Sequence, residues 1–153
     1  MEAIGTKAQT IKQQLTALVD EDTDAFNAVI EANRLPDSSG EEMTAKEKAL
    51  LAANKRAITV PLEVARLSHQ VLELAADLVG RGNSNSVSDV GVAGEVAYAG
   101  VRGGSLNVYI NLPAVASDPE FFAEVKKEVE QLLQQATSLR DKIFTDSLNI
   151  INT

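Results

Sequence analysis

Residues 88–112, SDVGVAGEVAYAGVRGGSLNVYINL, contain five of the nine glycines of this 153-residue chain. A glycine inside a helix costs roughly 0.8–1 kcal/mol relative to alanine, so the missing side chains must permit something that offsets this cost. On a helical wheel, the small and polar residues of the stretch share one face, namely Asp89, Ala93, Val96, Ala97, Gly100, Gly103, Gly104, Asn107 and Asn111. Such a face lets a second backbone or a flat ligand approach the helix axis closely.

The end of this stretch, SLNVYINL (residues 105–112), alternates in polarity and is rich enough in β-branched residues to fit a strand. A single strand in an otherwise helical chain would have nothing to pair with, and the row from Asp89 to Asn111 exists only at helical spacing. We therefore predict that the stretch is helical. The pattern G-x-G-x-x-G is absent, which argues against a dinucleotide-binding loop.

Apolar residues spaced by three and four predict three further helices. The first covers about residues 1–33 and ends before Leu35–Pro36. The second covers residues 42–79, with two apolar faces that imply neighbours on both sides and a kink or break at Pro61. A turn is predicted at residues 80–85, and the last helix is predicted to begin with a cap at Asp118–Pro119. This last helix carries an apolar seam from Phe122 to Ile143, which indicates packing within the chain. We predict an all-α, up-and-down bundle of long, partly kinked helices that forms one domain over residues 1–153.

The composition limits the kinds of partner and compartment. A net charge of -8 without a basic cluster argues against nucleic acid and membrane surfaces as partners. The chain has no cysteine and a single histidine, His69, so we predict no metal site. The first 18 residues lack the apolar run of a signal peptide, and we predict a cytoplasmic protein.

One carboxylate stands out from the periodicity of the first helix. Asp22 falls between Leu18 and Phe26 on the apolar stripe, whereas Asp20 and Asp24 point to the opposite side. A carboxylate that faces a core must be hydrogen-bonded, paired or functional, because an unpaired buried charge is costly. A polar contact between helices and a general base both fit this position.

Four segments of the chain together resemble a known enzyme family. These segments are VDEDTDAFNAVIEANRLP (19–36), VPLEVARL (60–67), GNSNSVSDVGVA (82–93) and LNVYINL (106–112). Their order and spacing resemble the formimidoyltetrahydrofolate cyclodeaminase family, which includes the cyclodeaminase half of formimidoyltransferase-cyclodeaminase and the methenyltetrahydrofolate cyclohydrolases. The resemblance implies an all-helical, dimeric protein that cyclises 5-formimidoyltetrahydrofolate to 5,10-methenyltetrahydrofolate and releases ammonia. Methenyltetrahydrofolate cyclohydrolase is the alternative activity.

The resemblance also implies roles for particular residues. Asp22 stands at the position of the family's proton acceptor and is the predicted catalytic residue. Asp89, Asn107 and Asn111, which lie on the small-residue face, are the predicted substrate-binding residues for such a folate. A charge that stabilises a helix N-terminus explains Asp89 slightly better than a ligand contact, and interhelical hydrogen bonds explain the two asparagines about equally well. No metal and no cofactor are expected beyond the tetrahydrofolate substrate, with or without a polyglutamate tail.

The remaining polar candidates fit ordinary structural roles. His69 fits a partly exposed histidine, and the scattered cations Arg34, Lys55, Arg56 and Arg102 fit a solvated surface.

The chain departs from the family at its beginning. Family members usually start with an additional helix of small residues, entered through a Pro-Gly-Gly-Gly-Ser motif, and this chain begins after that point. We therefore expect an incomplete active site, and a catalytically incomplete helical assembly module is the competing interpretation. Apolar area left uncovered by the absent helix, together with the glycine and alanine row, predicts a homodimer.

Overall fold

The fold consists of long α-helices. The computed structural model describes residues 2–81 and 83–153, and four helices account for most of them: α1 (Glu2–Asn33), α2 (Gly40–Leu78), α3 (Val87–Asn111) and α4 (Pro119–Ile151). Each helix packs against the next along the chain, and these described ranges contain no β-strand. The predicted all-α, up-and-down bundle is confirmed, including the helical state of SLNVYINL up to Asn111.

Short connections and local caps define the helix ends. α1 ends at Asn33, before Leu35–Pro36 as predicted. α2 begins two residues earlier than predicted because Ser39 and Glu42 form a capping box: the Ser39 hydroxyl accepts from the Glu42 N–H at 3.2 Å, and the Glu42 carboxylate accepts from the Ser39 N–H at 3.1 Å. At the start of α4, Asp118 accepts from the Phe121 N–H at 3.1 Å.

Short 3₁₀-helices lie at both ends of α3. They span Ser84–Ser86 and Leu112–Val115. Two positions in the sequence predictions, Met1 at the start of the first helix and Gly82 in the turn, lie outside the described residues.

α2 is the central helix and uses both of its apolar faces. One face packs Val60 and Leu67 against α1, while Ile58, Leu62 and Leu72 on the other face lie in the core that α2 shares with α3 and α4. The prediction of a helix between neighbours is confirmed. Burial on both sides of α2 removes apolar surface from water along most of its length, which is the main stabilising contribution in such a bundle.

α4 packs its apolar seam within the chain, as predicted. Val125, Val129 and Ile143 are buried against the rest of the bundle. An ion pair also joins α4 to α2, since the Arg66 guanidinium donates to both oxygens of Glu128 at 2.6 and 2.7 Å. This hydrogen-bonded pairing lowers the pKa of the Glu128 carboxyl, against the opposing effect of its desolvation.

The apolar stripe of α1 differs from its prediction. Its buried residues are spaced by seven, at Ile11, Leu18, Ala25 and Ala32. Phe26 is 65% exposed, and Asp22 is exposed as well. The prediction that Asp22 and Phe26 face a core is therefore wrong. The physical reason is that α1 packs mainly on α2. Only a narrow strip of α1 is therefore covered, and the rest of its surface stays exposed.

The glycines of α3 allow close approach to two neighbouring helices rather than one. A Cβ added at Gly104 would lie 2.6 Å from the Pro61 carbonyl oxygen of α2, and one at Gly100 would overlap the Ser68 hydroxyl. On the α4 side, a Cβ at Gly94 would lie 2.9 Å from Ile143 Cγ2. Gly100 and Gly104 belong to the predicted small-residue face and both pack on α2, whereas Gly94 and its contact with α4 lie outside that face. Val96, another predicted member, is 66% exposed.

Pro61 does not break α2, which continues from Gly40 to Leu78. Proline has no N–H, so the Ala57 carbonyl four residues earlier lacks its usual helical donor. The Asn111 side-chain Nδ2 of α3 donates to that carbonyl at 3.2 Å. A side chain from the neighbouring helix therefore supplies the hydrogen bond that Pro61 cannot make.

Replacing Asn111 tests this role. Asn111→Ala should lower the free energy of unfolding by about 1–2 kcal/mol, because a partly buried carbonyl loses its donor. Asn107→Ala, one turn earlier on the same helix and exposed, should not lower it. Urea unfolding followed by circular dichroism measures both, and equal stability of the two variants would contradict the assignment.

Candidate active-site cleft

The cleft that holds the leading site candidate lies over the middle of α2, between α1 and α3. It has a volume of about 540 Å³, and we call it the α1–α3 cleft. Its walls are largely apolar, with Leu15 and Leu18 from α1 and Val64 from α2. A cleft of this size accommodates a small-molecule ligand.

Two helix backbones form the floor of the cleft. Gly104 and Pro61, whose close contact brings α3 against α2, both line it, and so do Gly100 and Gly103. Because glycine and proline leave little side chain above the backbone, the floor is flat. A planar ligand can lie directly on such a surface.

Two of the predicted site residues meet in the α1–α3 cleft. Asp22 lines it from α1 and Asn107 from α3. None of the ion pairs found among the described residues includes Asp22, so its carboxylate is available to accept a proton or hydrogen bonds from a ligand. Asn107 offers both donors and an acceptor to a polar ring edge.

The predicted residue Asp89 lies elsewhere. It borders an apolar groove of about 370 Å³ with Val71, Leu74 and Val90, and it occupies the first turn of α3. Eighteen residues of helix, roughly 27 Å, separate Asp89 from Asn107. Its position suits a charge that stabilises the helix N-terminus, and the structure does not bring it together with Asp22.

The predicted residue Asn111 is also outside the lining of the α1–α3 cleft. Its amide donates to the Ala57 carbonyl, as described above. This is the interhelical hydrogen bond that the sequence left open as an alternative.

The cations singled out in the sequence do not line the α1–α3 cleft. Lys55 pairs with Asp118 at 2.5 Å and lies 4.9 Å from the centre of the Phe121 ring. This pairing lowers the pKa of the Asp118 carboxyl. Arg102 lies 5.8 Å from the centre of the Tyr98 ring. The four cations therefore take no part in the geometry around Asp22.

His69 is more buried than predicted. Its side chain is 12% exposed, and Nδ1 lies 3.8 Å from a Glu73 carboxylate oxygen on the next turn of α2. Nε2 is buried and has no hydrogen-bond partner among the described residues. His69 does not line the α1–α3 cleft.

The described part of the chain shows neither a metal-binding cluster nor a membrane-spanning helix. Within residues 2–81 and 83–153, no three histidine, aspartate or glutamate side chains are grouped so as to hold a metal ion. No helix in the same part of the chain combines the length and the apolar character required to cross a membrane.

Sequence reasoning missed several residues of the cleft. Thr23 lies beside Asp22, and Pro61 and Val64 belong to the wall and floor. The sequence had marked Pro61 as a kink, not as a site residue. Its signal was its place in the segment VPLEVARL, but the contact with Gly104 depends on how two distant helices cross.

Comparison with known proteins identifies relatives of this fold. The family model for formiminotransferase-cyclodeaminase matches residues 1–131. A methenyltetrahydrofolate cyclohydrolase from Methylorubrum extorquens is 38% identical over 147 residues, which cover 95% of this chain and 70% of that protein. Formimidoyltransferase-cyclodeaminase from Mus musculus is 37% identical over 123 residues, which cover 80% of this chain and 23% of the mouse protein.

A solved structure shares the helical architecture. The crystal structure of formiminotetrahydrofolate cyclodeaminase from Thermotoga maritima superposes with a TM-score of 0.80 and 26% sequence identity, covering 94% of this chain and 67% of that chain. The sequence match and the structural match agree with each other and with the four segments quoted from the sequence. The chain belongs to the formiminotransferase-cyclodeaminase family.

Proposed function

We propose that the α1–α3 cleft is the active site of a folate one-carbon enzyme, and that it cyclises 5-formimidoyltetrahydrofolate to 5,10-methenyltetrahydrofolate with release of ammonia. The observation that carries the proposal is the position of Asp22. An unpaired carboxylate at an apolar cleft, facing an amide from Asn107 and a flat floor, suits a proton transfer on a bound heterocycle. The relatives described above are named for cyclodeaminase and cyclohydrolase activity.

The proposed reaction needs a single proton carrier. N10 of the folate attacks the carbon of the protonated formimidoyl group on N5, and Asp22 takes the proton that N10 loses. The resulting intermediate carries an amino group on this carbon. Asp22 then returns the proton to this amino group, the carbon–nitrogen bond breaks, and ammonia departs. The positive charge remains on the methenyl bridge, so atoms and charge balance without a metal or a second cofactor.

The electrostatics of α1 support a cationic substrate and product. Residues 20–24 of α1, DEDTD, contribute four carboxylates in little more than one turn, and the chain carries a net charge of -8. A positive amidinium or methenyl group is stabilised by this negative potential. Asp22 is the carboxylate of this turn that lines the cleft.

Positioning of the two reacting atoms of the substrate also contributes to the proposed rate enhancement. Ring closure joins two atoms of one substrate, so a cleft that holds N10 against the formimidoyl carbon lowers the entropic cost of the attack. In the proposal, Asn107 fixes the ring edge by hydrogen bonds while the apolar walls at Leu15, Leu18 and Val64 exclude competing water.

Methenyltetrahydrofolate cyclohydrolase is the second candidate. The observation that favours it is the Methylorubrum extorquens relative, which matches nearly the whole chain. In that reaction a water molecule adds to the methenyl carbon while Asp22 takes one of its protons. One carbon–nitrogen bond of the hydroxy adduct then breaks, the hydroxyl proton moves to the freed nitrogen, and Asp22 releases its proton to solvent, which leaves a formyl product. Both reactions involve the methenyl compound, and both require Asp22 to accept a proton.

A pair of variants on one turn of α1 tests the role of Asp22. Asp22→Asn should lower turnover by about 100- to 10,000-fold, because an amide cannot accept the proton. Asp24→Asn removes the same charge from the negative potential but does not line the cleft, so it should lower turnover only slightly. Absorbance of methenyltetrahydrofolate reports its formation from the formimidoyl compound and its hydrolysis in separate assays.

These assays also separate the two candidate reactions. Formation with ammonia release identifies a cyclodeaminase, and hydrolysis alone identifies a cyclohydrolase. Wild-type turnover in both variants would show that Asp22 is not the base. Inactivity of the wild-type chain in both assays, without folate binding, would contradict the proposed function and favour an assembly module.

We further propose that the chain forms a homodimer through the exposed apolar surface where α3 and α4 adjoin. Val92, Val96, Phe144, Leu148 and Ile151 line a groove of about 250 Å³ there and are 43–66% exposed. A contiguous apolar surface of this kind is unfavourable in water and is typical of an interface. A second copy offers the matching surface under two-fold symmetry.

Light scattering tests this association. The wild-type chain at micromolar concentration should have about twice its monomer mass of 16.3 kDa. Phe144→Glu should reduce the mass to that of a monomer, because it places a charge in the groove. Phe26→Glu, at a phenylalanine of α1 that is 65% exposed against 51% for Phe144, should not. A monomeric wild-type chain would contradict the proposed dimer. Dissociation by Phe26→Glu alone would contradict the assignment of the interface to the groove between α3 and α4.

A further inference from the structure

One glycine of α3 has no role in packing the described chain. A Cβ added at Gly103 would meet no atom within 4 Å, whereas at Gly94, Gly100 and Gly104 it would press against a neighbouring helix. No glycine among the described residues has a positive φ, so the backbone at Gly103 does not require glycine either. Gly103 therefore weakens its own helix without an evident benefit to the fold.

The position of Gly103 indicates a role in the cleft and not in the packing of the fold. It is half-buried and lines the α1–α3 cleft. Asn107 lies one helical turn further along the same helix and lines the same cleft, with Asp22 across from it on α1. A side chain at position 103 would project into the cleft next to Asn107, because residues four apart share one face of a helix.

We propose that Gly103 is a specificity-determining residue, which leaves clearance for the flat reduced-pterin ring of the folate to lie against the backbone of α3. This inference rests on the proposed function of the cleft. A methyl group at position 103 would lift the ring from the floor and shift it relative to Asn107 and Asp22. Gly103→Ala should therefore stabilise α3 and weaken folate binding in the cleft.

Opposite effects on stability and binding are the signature of this role. Gly103→Ala should raise the thermal unfolding midpoint by about 2–4 °C through better helix propensity. It should also weaken binding of the stable analogue 5-formyltetrahydrofolate by about 10-fold or more and raise KM by a similar factor, because the added methyl overfills the cleft. Gly103→Leu should weaken binding further.

Gly5 provides the matched control. It lies inside α1, a Cβ added there would meet nothing within 4 Å, and it does not line the cleft. Gly5→Ala should leave the folate affinity and KM unchanged. The experiment measures melting, 5-formyltetrahydrofolate binding by calorimetry, turnover and solution mass for the wild-type chain and each variant.

Each outcome has a separate meaning. A stabilised Gly103→Ala with weakened folate binding and unchanged mass supports the inference. Unchanged affinity overturns it and leaves the proposed function intact. Loss of stability in Gly103→Ala would show that the chain itself fills the space, and a change in mass without a change in affinity would show that a second copy fills it; both overturn the inference. Absence of folate binding by the wild-type chain would instead overturn the proposed function.

Discussion

The close contact between the backbones of α2 and α3 is the constraint on which the rest of the structure depends. A methyl group at Gly104 would lie 2.6 Å from the Pro61 carbonyl oxygen and 3.0 Å from the Ala65 nitrogen, so no larger residue fits without separating the helices. Asn111 stabilises the same crossing by donating to the Ala57 carbonyl that Pro61 leaves without a donor. Glycine, proline and asparagine, each unfavourable inside an isolated helix, are mutually compatible at this crossing.

This crossing also shapes the cleft. The two backbones form its floor, α1 supplies one wall through its packing on α2, and Asp22 and Asn107 are brought to the same space from helices distant in sequence. The cost of the glycines is offset in two ways. Gly94, Gly100 and Gly104 allow helices to approach, whereas Gly103 leaves room for a ligand in the inference drawn above.

Much of the fold followed from local patterns. Periodicity and capping residues predicted the helices, and the two faces of α2 predicted its central position, because the pattern of burial repeats every few residues. The face of α1 was misjudged at Phe26, since periodicity identifies an apolar face without showing how much of it a neighbour covers. The small-residue face proposed for α3 was correct at Gly100 and Gly104, which pack on α2, but it left out Gly94, which contacts α4 from another side of the helix.

The candidate site was less predictable than the fold. Asp22 was singled out in the sequence for its place on an apolar stripe, but the structure places it at an open cleft rather than in a core. Asp89 and Asn107 had looked equivalent on a helical wheel, yet their separation along α3 puts them beside different grooves. The partner of Asn111 lies 54 residues away, and no local pattern reports such a contact.

The central claim is that the backbone floor at the α2–α3 crossing is a folate site with Asp22 as its base. A crystal structure of the chain with 5-formyltetrahydrofolate, in which a formyl oxygen replaces the imino group of the substrate, tests it most directly. The account predicts the pterin ring against α3 at Gly103 and N10 within about 3 Å of a carboxylate oxygen of Asp22. A ligand bound in the groove beside Asp89, or in the apolar groove between α3 and α4, would contradict it.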